Sequence, residues 1–327
     1  MKYRDNVYGT IPISEPVAIN IINSPAMQRL KGIDQGAYRK PFFPGTPTNR
    51  FDHSVGVFLL LRIFKAPLLE QIAGLIHDVS HSAFSHGIEY ILKQGNAKTQ
   101  GHQDNIHNDF VKNSEITGIL SRYGMNVDDI LDDSRFPLKE NDLPDICADR
   151  IDYTLRDGVS YGELTIREAK EILSSLSTVN GRWIFADFAH ARNFAQFYNK
   201  LNGDYWAGIE SAVMFHTVGE YIAHALQKHY IELEDLYTTD QEVFNKIEPH
   251  LKNDECAQLL HDRMNHHINF INSPGHFDTR VIIKSRAIDP LCCHDGAVKR
   301  VSEIDPYWTQ TVQEESKPKE YFIKFEQ

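Results

Sequence analysis

The sequence has few cysteines, little excess of positive charge and no long apolar run. Four cysteines in 327 residues are too sparse for a disulfide framework, which favours a reducing, cytoplasmic location. Lysine and arginine total 34 against 45 aspartates and glutamates, and the resulting net charge of −11 disfavours a general nucleic-acid binder. The longest apolar stretch, residues 55–64, is about half of the ~20 residues that a bilayer span needs. Neither a membrane helix nor a signal peptide is therefore predicted.

Histidine, by contrast, is abundant and unevenly placed. The chain has 16 histidines. One short segment holds six of them: His53, His77, His81, His86, His102 and His107. Neutral imidazole is the commonest metal ligand in proteins and the readiest acid or base near pH 7. The segment from 53 to 107 is therefore the first place to expect a functional site.

Hydrophobic periodicity predicts a mostly α-helical fold. Apolar residues recur at helical spacing over residues 68–81, and the same pattern predicts a helix over residues 102–122. Short β-branched runs predict a hairpin within residues 7–20 and strands at 281–284 and 321–325. We therefore expect a helical catalytic core over residues 1–230, with its motifs at 24–158, and a small α+β subdomain over residues 231–327.

The C-terminal part also differs in charge. Residues 280–327 contain 8 basic and 8 acidic residues, so the whole net negative charge lies in the earlier part of the chain. Its basic residues include Arg280, Lys284, Arg286, Lys299 and Arg300. They could hold an anion or a neighbouring subunit, and an ordinary solvated surface of mixed charge is the other interpretation.

Four short segments contain side chains suited to metal chemistry. They are NRFDHS (49–54), HDVSHSAFSH (77–86), GHQDNIH (101–107) and ADRIDYTLRDG (148–158). His53, His77 and Asp78, together with a later aspartate, would supply two nitrogen and two carboxylate ligands. A mixed set of this kind without cysteine suits Mn, Fe, Mg or Zn, with coordination positions left open for water. Asp149 and Asp152 are both candidates for the later aspartate.

The last of these segments also points to a phosphorylated substrate. Asp149, Tyr153 and Asp157 stand at i, i+4 and i+8, so they line one face of a helix. Arg150 lies directly beside Asp149, where it can meet an anion bound near that carboxylate. Guanidinium geometry matches phosphate, which makes a phosphate ester the expected substrate class.

The order of His53, His77-Asp78 and Asp149 resembles the HD-domain metal-dependent phosphohydrolases. The flanking words are most similar to the deoxynucleoside triphosphate triphosphohydrolases, which include the sterile-alpha-motif and HD-domain protein and the bacterial dGTPases. The resemblance rests on four sequence segments within residues 24–158, namely SPAMQRLKGIDQGAY, FPGTPTNRFDHSVGV, AGLIHDVSHSAFSH and ADRIDYTLRD.

The resemblance implies an HD-domain helical core, a divalent metal and a homo-oligomer that acts on a nucleotide, most simply a dNTP. Water would attack the α-phosphorus and release the nucleoside with intact triphosphate. The implied metal ligands are His53, His77, Asp78 and Asp149. The implied acid-base or orienting groups are His81, His86, His102 and Glu89. The implied substrate contacts are Gln35 to the sugar and Arg50, Arg150, Tyr153 and Asp157 to the phosphates.

Three positions depart from the pattern of this branch. Ser80 replaces the glycine of HDxGH, Gln103 follows His102 where a glutamate is usual, and Gly36 stands where relatives place leucine against the sugar. Ribonucleotides therefore stay possible substrates, and His107 could replace His102. Two other functions stay open, namely a phosphohydrolase of nucleoside monophosphates or other phosphoesters and a nucleotide sensor or scaffold with weak turnover.

Two aromatic residues late in the core, Tyr205 and Trp206, are interpreted as core or interface residues rather than as a base-stacking pair. The resemblance keeps the other interpretation open, because the nucleoside pocket of this branch draws an aromatic residue from roughly that region.

Overall fold

The computed structural model describes residues 1–43, 45, 48–90 and 102–326, with only the backbone of residues 89–90 and 102–104. Helices dominate this part of the chain, which confirms the predicted mostly α-helical fold. They are α1 (Pro16–Ile22), α2 (Pro25–Arg29), α3 (Arg50–Ile63), α4 (Leu68–Ile76), α5 (His102–Asn113), α6 (Glu115–Arg122), α7 (Val127–Leu131), α8 (Ala148–Ser160), α9 (Ile166–Ser174), α10 (Phe188–Leu201), α11 (Ile209–Gln227), α12 (Asp240–Ile247), α13 (Glu255–Met264), α14 (Val301–Ile304) and α15 (Pro306–Glu315). Within the described ranges, no helix combines the length and apolar character that a bilayer span requires.

The strands form three small sheets. They are β1 (Lys2–Asp5), β2 (Gly9–Pro12), β3 (Leu176–Val179), β4 (Arg182–Phe185), β5 (Phe270–Asn272), β6 (Thr279–Ile283), β7 (Leu291–His294), β8 (Ala297–Arg300) and β9 (Lys319–Phe325). The sheet orders are β1-β2, β3-β4-β7-β8 and β5-β9-β6. Because β4 pairs with β7 in parallel, one sheet contains strands from both sides of residue 230. The proposed division of the chain at residue 230 stays a prediction.

Two local predictions need correction. The N-terminal hairpin begins at Lys2, before the predicted segment, because the Asp5 carboxylate accepts the N–H groups of Val7 and Tyr8 and so closes the turn. The predicted helix over 102–122 is interrupted at Ser114, whose side chain accepts the N–H of Ile116 and starts a new helix. A serine inside an apolar stripe therefore acted as a helix cap.

Helix α3 is the central element and positions the site. Nearly every residue from Arg50 to Leu61 is buried, and the helix packs against both α4 and α8. A Cβ on Gly56 would lie 2.0 Å from Arg156 Nη2 and 2.1 Å from Asp152 Oδ1. Only glycine therefore allows α8 to approach this closely, which brings its carboxylates against the N-terminal half of α3.

Candidate metal centre

Three helices bring the predicted ligands together. His53 lies on α3, His77 directly follows α4, and Asp149 lies in the first turn of α8. Ligand atoms of these three residues all lie within 4.8 Å of one another. Asp78 joins them, with Oδ1 at 3.5 Å from His77 Nε2 and Oδ2 at 3.7 Å from His53 Nε2. We call His53, His77 and Asp149 the metal face.

The orientation of His53 is fixed from behind by Asp152. His53 Nδ1 lies 2.8 Å from Asp152 Oδ2, and its Nε2 lies 2.9 Å from Asp149 Oδ1. Asp152 is fully buried and also accepts hydrogen bonds from Arg156. Asp152 therefore occupies the far side of the imidazole, while Asp149 lies on the side where the ligand atoms meet. This geometry favours Asp149 over Asp152 as the candidate ligand and gives Asp152 a supporting role.

His77 is oriented in the same manner. Its Nδ1 donates to the carbonyl of Gly74 at 2.8 Å, which leaves Nε2 facing His53 Nε2 at 3.2 Å and Asp149 Oδ1 at 3.5 Å. Ligands held at about 2.0–2.2 Å from one ion stand roughly 3.0–3.5 Å apart. The spacing of these side chains therefore fits a shared divalent cation.

The pKa values of the histidines on the metal face also favour a cation site. Burial lowers the pKa of His53, but hydrogen bonds with Asp149 and Asp152 outweigh burial and raise that pKa to about 10. The pKa of His77 is also raised, because Asp78 and Asp149 outweigh its burial. A proton bound here lies in the field of several carboxylates, and a metal cation can take its place.

A second group of side chains lies beside the first and has the opposite character. Arg50 Nη1 lies 2.5 Å from Asp78 Oδ2, and Arg50 Nε donates to Ser85 Oγ at 2.9 Å. His81 and His86 pack edge to face with ring centroids 5.2 Å apart. Burial and the positive charge of Arg50 lower the pKa of His81 to about 4 and hold that of His86 well below its usual value. We call Arg50, His81 and His86 the phosphate face.

Both faces line one cavity of about 640 Å³, a volume within the range of about 300–1,000 Å³ that is typical of small-molecule sites. Most of the predicted site residues line it, namely Gln35, Arg50, His53, His77, Asp78, His81, His86, Asp149, Arg150, Tyr153 and Asp157. The side chains of Glu89 and His102 lie outside the described part of the chain.

Two of the predicted substrate contacts are already held by other side chains. Asp157 Oδ1 accepts from Arg39 Nη1 at 3.0 Å, and Asp157 Oδ2 accepts from the indole N–H of Trp206 at 2.9 Å. The Tyr153 hydroxyl lies 2.7 Å from that of Tyr198. Asp157 therefore holds the cavity wall in place as well as facing the cavity.

Sequence reasoning did not assign several residues of the wall. Tyr205 and Trp206 line the cavity instead of forming only core or interface, because a π-helical turn (Asn202–Trp206) turns them toward it. Trp206 packs edge to face on Tyr153, with ring centroids 4.9 Å apart. The other lining residues without a predicted role include Arg39, Met214 and Phe215. Lys284 and Arg286, which the sequence suggested could hold an anion, line the cavity as well. A π-helical turn has no period that a sequence pattern would reveal.

Ser80, one of the departures from the family pattern, makes a contact of its own. Its Oγ lies 3.2 Å from His107 Nδ1, and His107 lines the cavity. Burial lowers the pKa of His107 to about 4, so this imidazole is neutral at pH 7. The serine thus holds the histidine that sequence reasoning considered as a replacement for His102.

Comparison with known proteins places the same region in one family. The HD domain family matches residues 50–157. The uncharacterized protein YdhJ of Bacillus subtilis is 35% identical over 291 residues, which cover 89% of this chain and 88% of that protein. The metal-dependent phosphohydrolase cns2 of Cordyceps militaris is 32% identical over 249 residues, which cover 74% of this chain and 71% of that protein.

A more distant relative and a solved structure complete the comparison. The mouse deoxynucleoside triphosphate triphosphohydrolase SAMHD1 is 31% identical over 143 residues, which cover 38% of this chain and only 22% of that protein. The crystal structure of a phosphohydrolase from Bacteroides thetaiotaomicron superposes with a TM-score of 0.77 and covers 100% of both chains. At 18% identity, that likeness shows the fold alone.

Proposed function

We propose a nucleotide substrate for this chain, which belongs to the HD-domain family of metal-dependent phosphohydrolases. We propose further that it acts as a dNTP triphosphohydrolase. The products would be a deoxynucleoside and intact triphosphate. The observation that carries the proposal is the meeting of His53, His77 and Asp149 at the wall of a cavity that also holds arginines and aromatic rings. The partial similarity to a dNTP triphosphohydrolase supports the choice of substrate.

In this proposal His53, His77, Asp78 and Asp149 hold a divalent metal, either Mn, Fe, Mg or Zn. Such a metal polarises a phosphoryl oxygen and lowers the pKa of a bound water from near 16 toward ~7. Two carboxylates and two neutral imidazoles without a cysteine are a ligand set that would suit any of these ions.

The phosphate face would manage protons and charge. His81 and His86 are held neutral by burial and by Arg50, so each can accept a proton at pH 7. Arg50 is anchored by Asp78, Ser85 and the Gln35 carbonyl, which keeps its guanidinium in place before substrate arrives. We assign it, with Arg150 and Tyr153, to the phosphates.

The aromatic part of the cavity wall would receive the nucleoside, and we call it the nucleoside wall. Tyr205, Trp206 and Phe215 supply ring surface there. Gln35 Oε1 is buried and has no hydrogen-bond partner among the described residues, so it can accept a hydrogen bond from a sugar hydroxyl. The absence of a side chain on Gly36 keeps ribonucleotides as candidate substrates.

The two rival functions differ in what they release. A phosphohydrolase of nucleoside monophosphates or other phosphoesters would give orthophosphate rather than triphosphate. A nucleotide sensor or scaffold would bind nucleotide and give little product, and Ser80 and Gln103 are the departures that motivate it. Gln103→Glu would restore turnover if the missing acid is the cause.

The test is a product analysis. Purified protein is incubated with Mn²⁺ or Mg²⁺, or with EDTA, against dNTPs, NTPs and nucleoside monophosphates, and the products are separated by anion-exchange chromatography. We expect metal-dependent release of nucleoside and triphosphate, lost in Asp78→Ala and kept in a control at exposed His190, His190→Ala. Nucleotide binding without any turnover would rule out the triphosphohydrolase and favour the sensor.

Homo-oligomerisation and a cytoplasmic location stay predictions. Light scattering on the purified chain, with and without dNTP, tests the first of them.

A further inference from the structure

The segment that follows strand β6 of the C-terminal sheet reaches the cavity with two positive charges. The strand ends at Ile283, and the chain continues through Lys284, Ser285 and Arg286. Side chains two residues apart in extended backbone point to the same side. Lys284 and Arg286 accordingly both line the cavity, while Ser285 is buried.

Hydrogen bonds fix this segment against the aromatic wall. The backbone N–H of Arg286 donates to Asn202 Oδ1 at 3.1 Å, and Asn202 Nδ2 donates to Ser285 Oγ at 2.9 Å. Asn202 is fully buried and begins the π-helical turn that carries Trp206. The two cations are therefore held at a set position relative to the nucleoside wall of the cavity.

Arg286 lies within electrostatic reach of His86 and Tyr153. After burial, Arg50 and His81, its positive charge is a further cause that lowers the pKa of His86. It also acts on Tyr153, where it opposes the rise in the hydroxyl pKa that burial produces. The guanidinium thus stands near one residue of the phosphate face and one residue on the same helix as Asp149.

Four other cations of the cavity pair with carboxylates that line the same cavity. Ion pairs join Arg39 to Asp157, Arg50 to Asp78, Lys139 to Asp133 and Arg150 to Glu140. In all, six Lys or Arg and six Asp or Glu line the cavity, so a divalent metal would make it net positive. A triphosphate carries more negative charge than can be offset by a divalent metal and one arginine that is already paired with a carboxylate. Additional cations in the cavity would therefore strengthen its binding.

We propose that Lys284 and Arg286 form a subsite for the distal phosphates of a polyphosphate-bearing substrate. The C-terminal sheet would then select nucleoside triphosphates over monophosphates in the cavity of the helical core. Arg286 is suited to bidentate contact with phosphate oxygens, and Lys284 adds a compact charge beside it. The proposal rests on the proposed function, since it concerns the same cavity, and it names which substrates that cavity prefers.

The test measures binding of inorganic tripolyphosphate and of orthophosphate to the full chain with its metal bound, by calorimetry. We expect Arg286→Gln and Lys284→Gln each to weaken tripolyphosphate binding about tenfold, as befits loss of a charge-assisted contact, and to change orthophosphate binding less than about twofold. Arg280→Gln is the matched control, because Arg280 lies on β6 just before this segment and pairs with Glu320 on an exposed face. It should bind both anions as the wild type does.

Equal weakening of both anions, or unchanged tripolyphosphate binding in both variants, would overturn the subsite. Circular dichroism checks folding, and Lys284→Gln alone decides if Arg286→Gln does not fold. A nucleotide assay separates this proposal from the last one. Hydrolysis of dNTPs with an unchanged KM in both variants would refute the subsite and leave the triphosphohydrolase standing. Tripolyphosphate binding that depends on both residues, without dNTP hydrolysis, would support the subsite and refute the triphosphohydrolase.

Discussion

The metal face and the phosphate face use the same residue type in opposite states. His53 and His77 have raised pKa values, whereas His81 and His86 have lowered ones, although all four lie in one cavity and are shielded from water. Burial alone would lower all four pKa values. The difference comes from the balance of causes. Carboxylates outweigh burial at His53 and His77, whereas burial and the guanidinium of Arg50 outweigh the Asp78 carboxylate, 3.3 Å from His81 Nε2.

On this contrast we base the proposal that neighbouring histidines have separate tasks. A site that attracts a proton strongly attracts a metal cation for the same reason. A histidine held neutral beside a positive charge is ready to accept a proton from water or a leaving group. His77 and His81 are only four residues apart, so the surroundings and not the sequence position decide which task each one performs.

The largest effect should follow from removal of a metal-face ligand. In His77→Ala we expect loss of bound metal and a fall in turnover beyond the roughly 10–100-fold that is typical when a residue behind a ligand is changed. Metal content by plasma mass spectrometry and a product assay measure both. Retention of stoichiometric metal with full activity would show that His77 is not a ligand.

The phosphate face should separate chemistry from metal binding. In His86→Gln we expect turnover to fall about 10²–10⁴-fold, the range for loss of an acid-base group, with metal content unchanged. The same two assays apply. If His86→Gln lost its metal as His77→Ala does, the two faces would not be functionally distinct.

A change behind the metal face should have an intermediate effect. Asp152→Asn removes the acceptor that fixes the tautomer of His53, so we expect metal affinity to fall roughly 10–100-fold. Titration with Mn²⁺ measures this. Asp142→Asn is the control, because Asp142 is an exposed aspartate that also lines the cavity. Equal metal affinities of the two variants would show that Asp152 does not support the metal site.

The smallest effect is on the pH dependence of stability without metal. The raised pKa of His53 gives stability that is present below about pH 6.5 and is lost as pH rises toward its folded value of about 10. The lowered pKa of His81 costs stability as pH falls from about 6.5 to about 4, because only the unfolded state takes the proton.

Urea unfolding of the metal-free protein from pH 4 to pH 10 measures both trends. His81→Asn should flatten the acid side and His53→Asn the alkaline side, each by on the order of 3–5 kcal/mol over the full range. Parallel curves for the wild type and both variants would contradict the opposite ionisation of the two faces.

Local patterns predicted the helical core and the order of the candidate ligands. A helix depends on the spacing of side chains over a few turns, and each candidate ligand lies in a short sequence motif. The residue pattern alone could not separate Asp149 from Asp152, since both belong to ADRIDY, and only the family resemblance favoured Asp149. The approach of α8 to α3 decides which oxygen meets His53 Nε2. The apolar stripe predicted a helix over residues 102–122, but it did not predict the interruption at Ser114.

The rest of the cavity wall was beyond local patterns for a different reason. Trp206 reaches it through a π-helical turn, and Arg286 through the segment that follows strand β6 of the C-terminal sheet. Their positions depend on tertiary hydrogen bonds such as that between Asn202 and Arg286. No periodicity or spacing in the sequence encodes a contact of this kind.

The most direct test of the account is calorimetric titration of the metal-free protein with Mn²⁺ at pH 7.5 in buffers of different ionisation enthalpy. The raised pKa of His53 means that this side chain carries a proton before the metal binds. We therefore predict release of about one proton or more per Mn²⁺, seen as a heat that changes with the buffer and that disappears in His53→Ala. A binding heat independent of the buffer, or unchanged in His53→Ala, would contradict a metal site on this face.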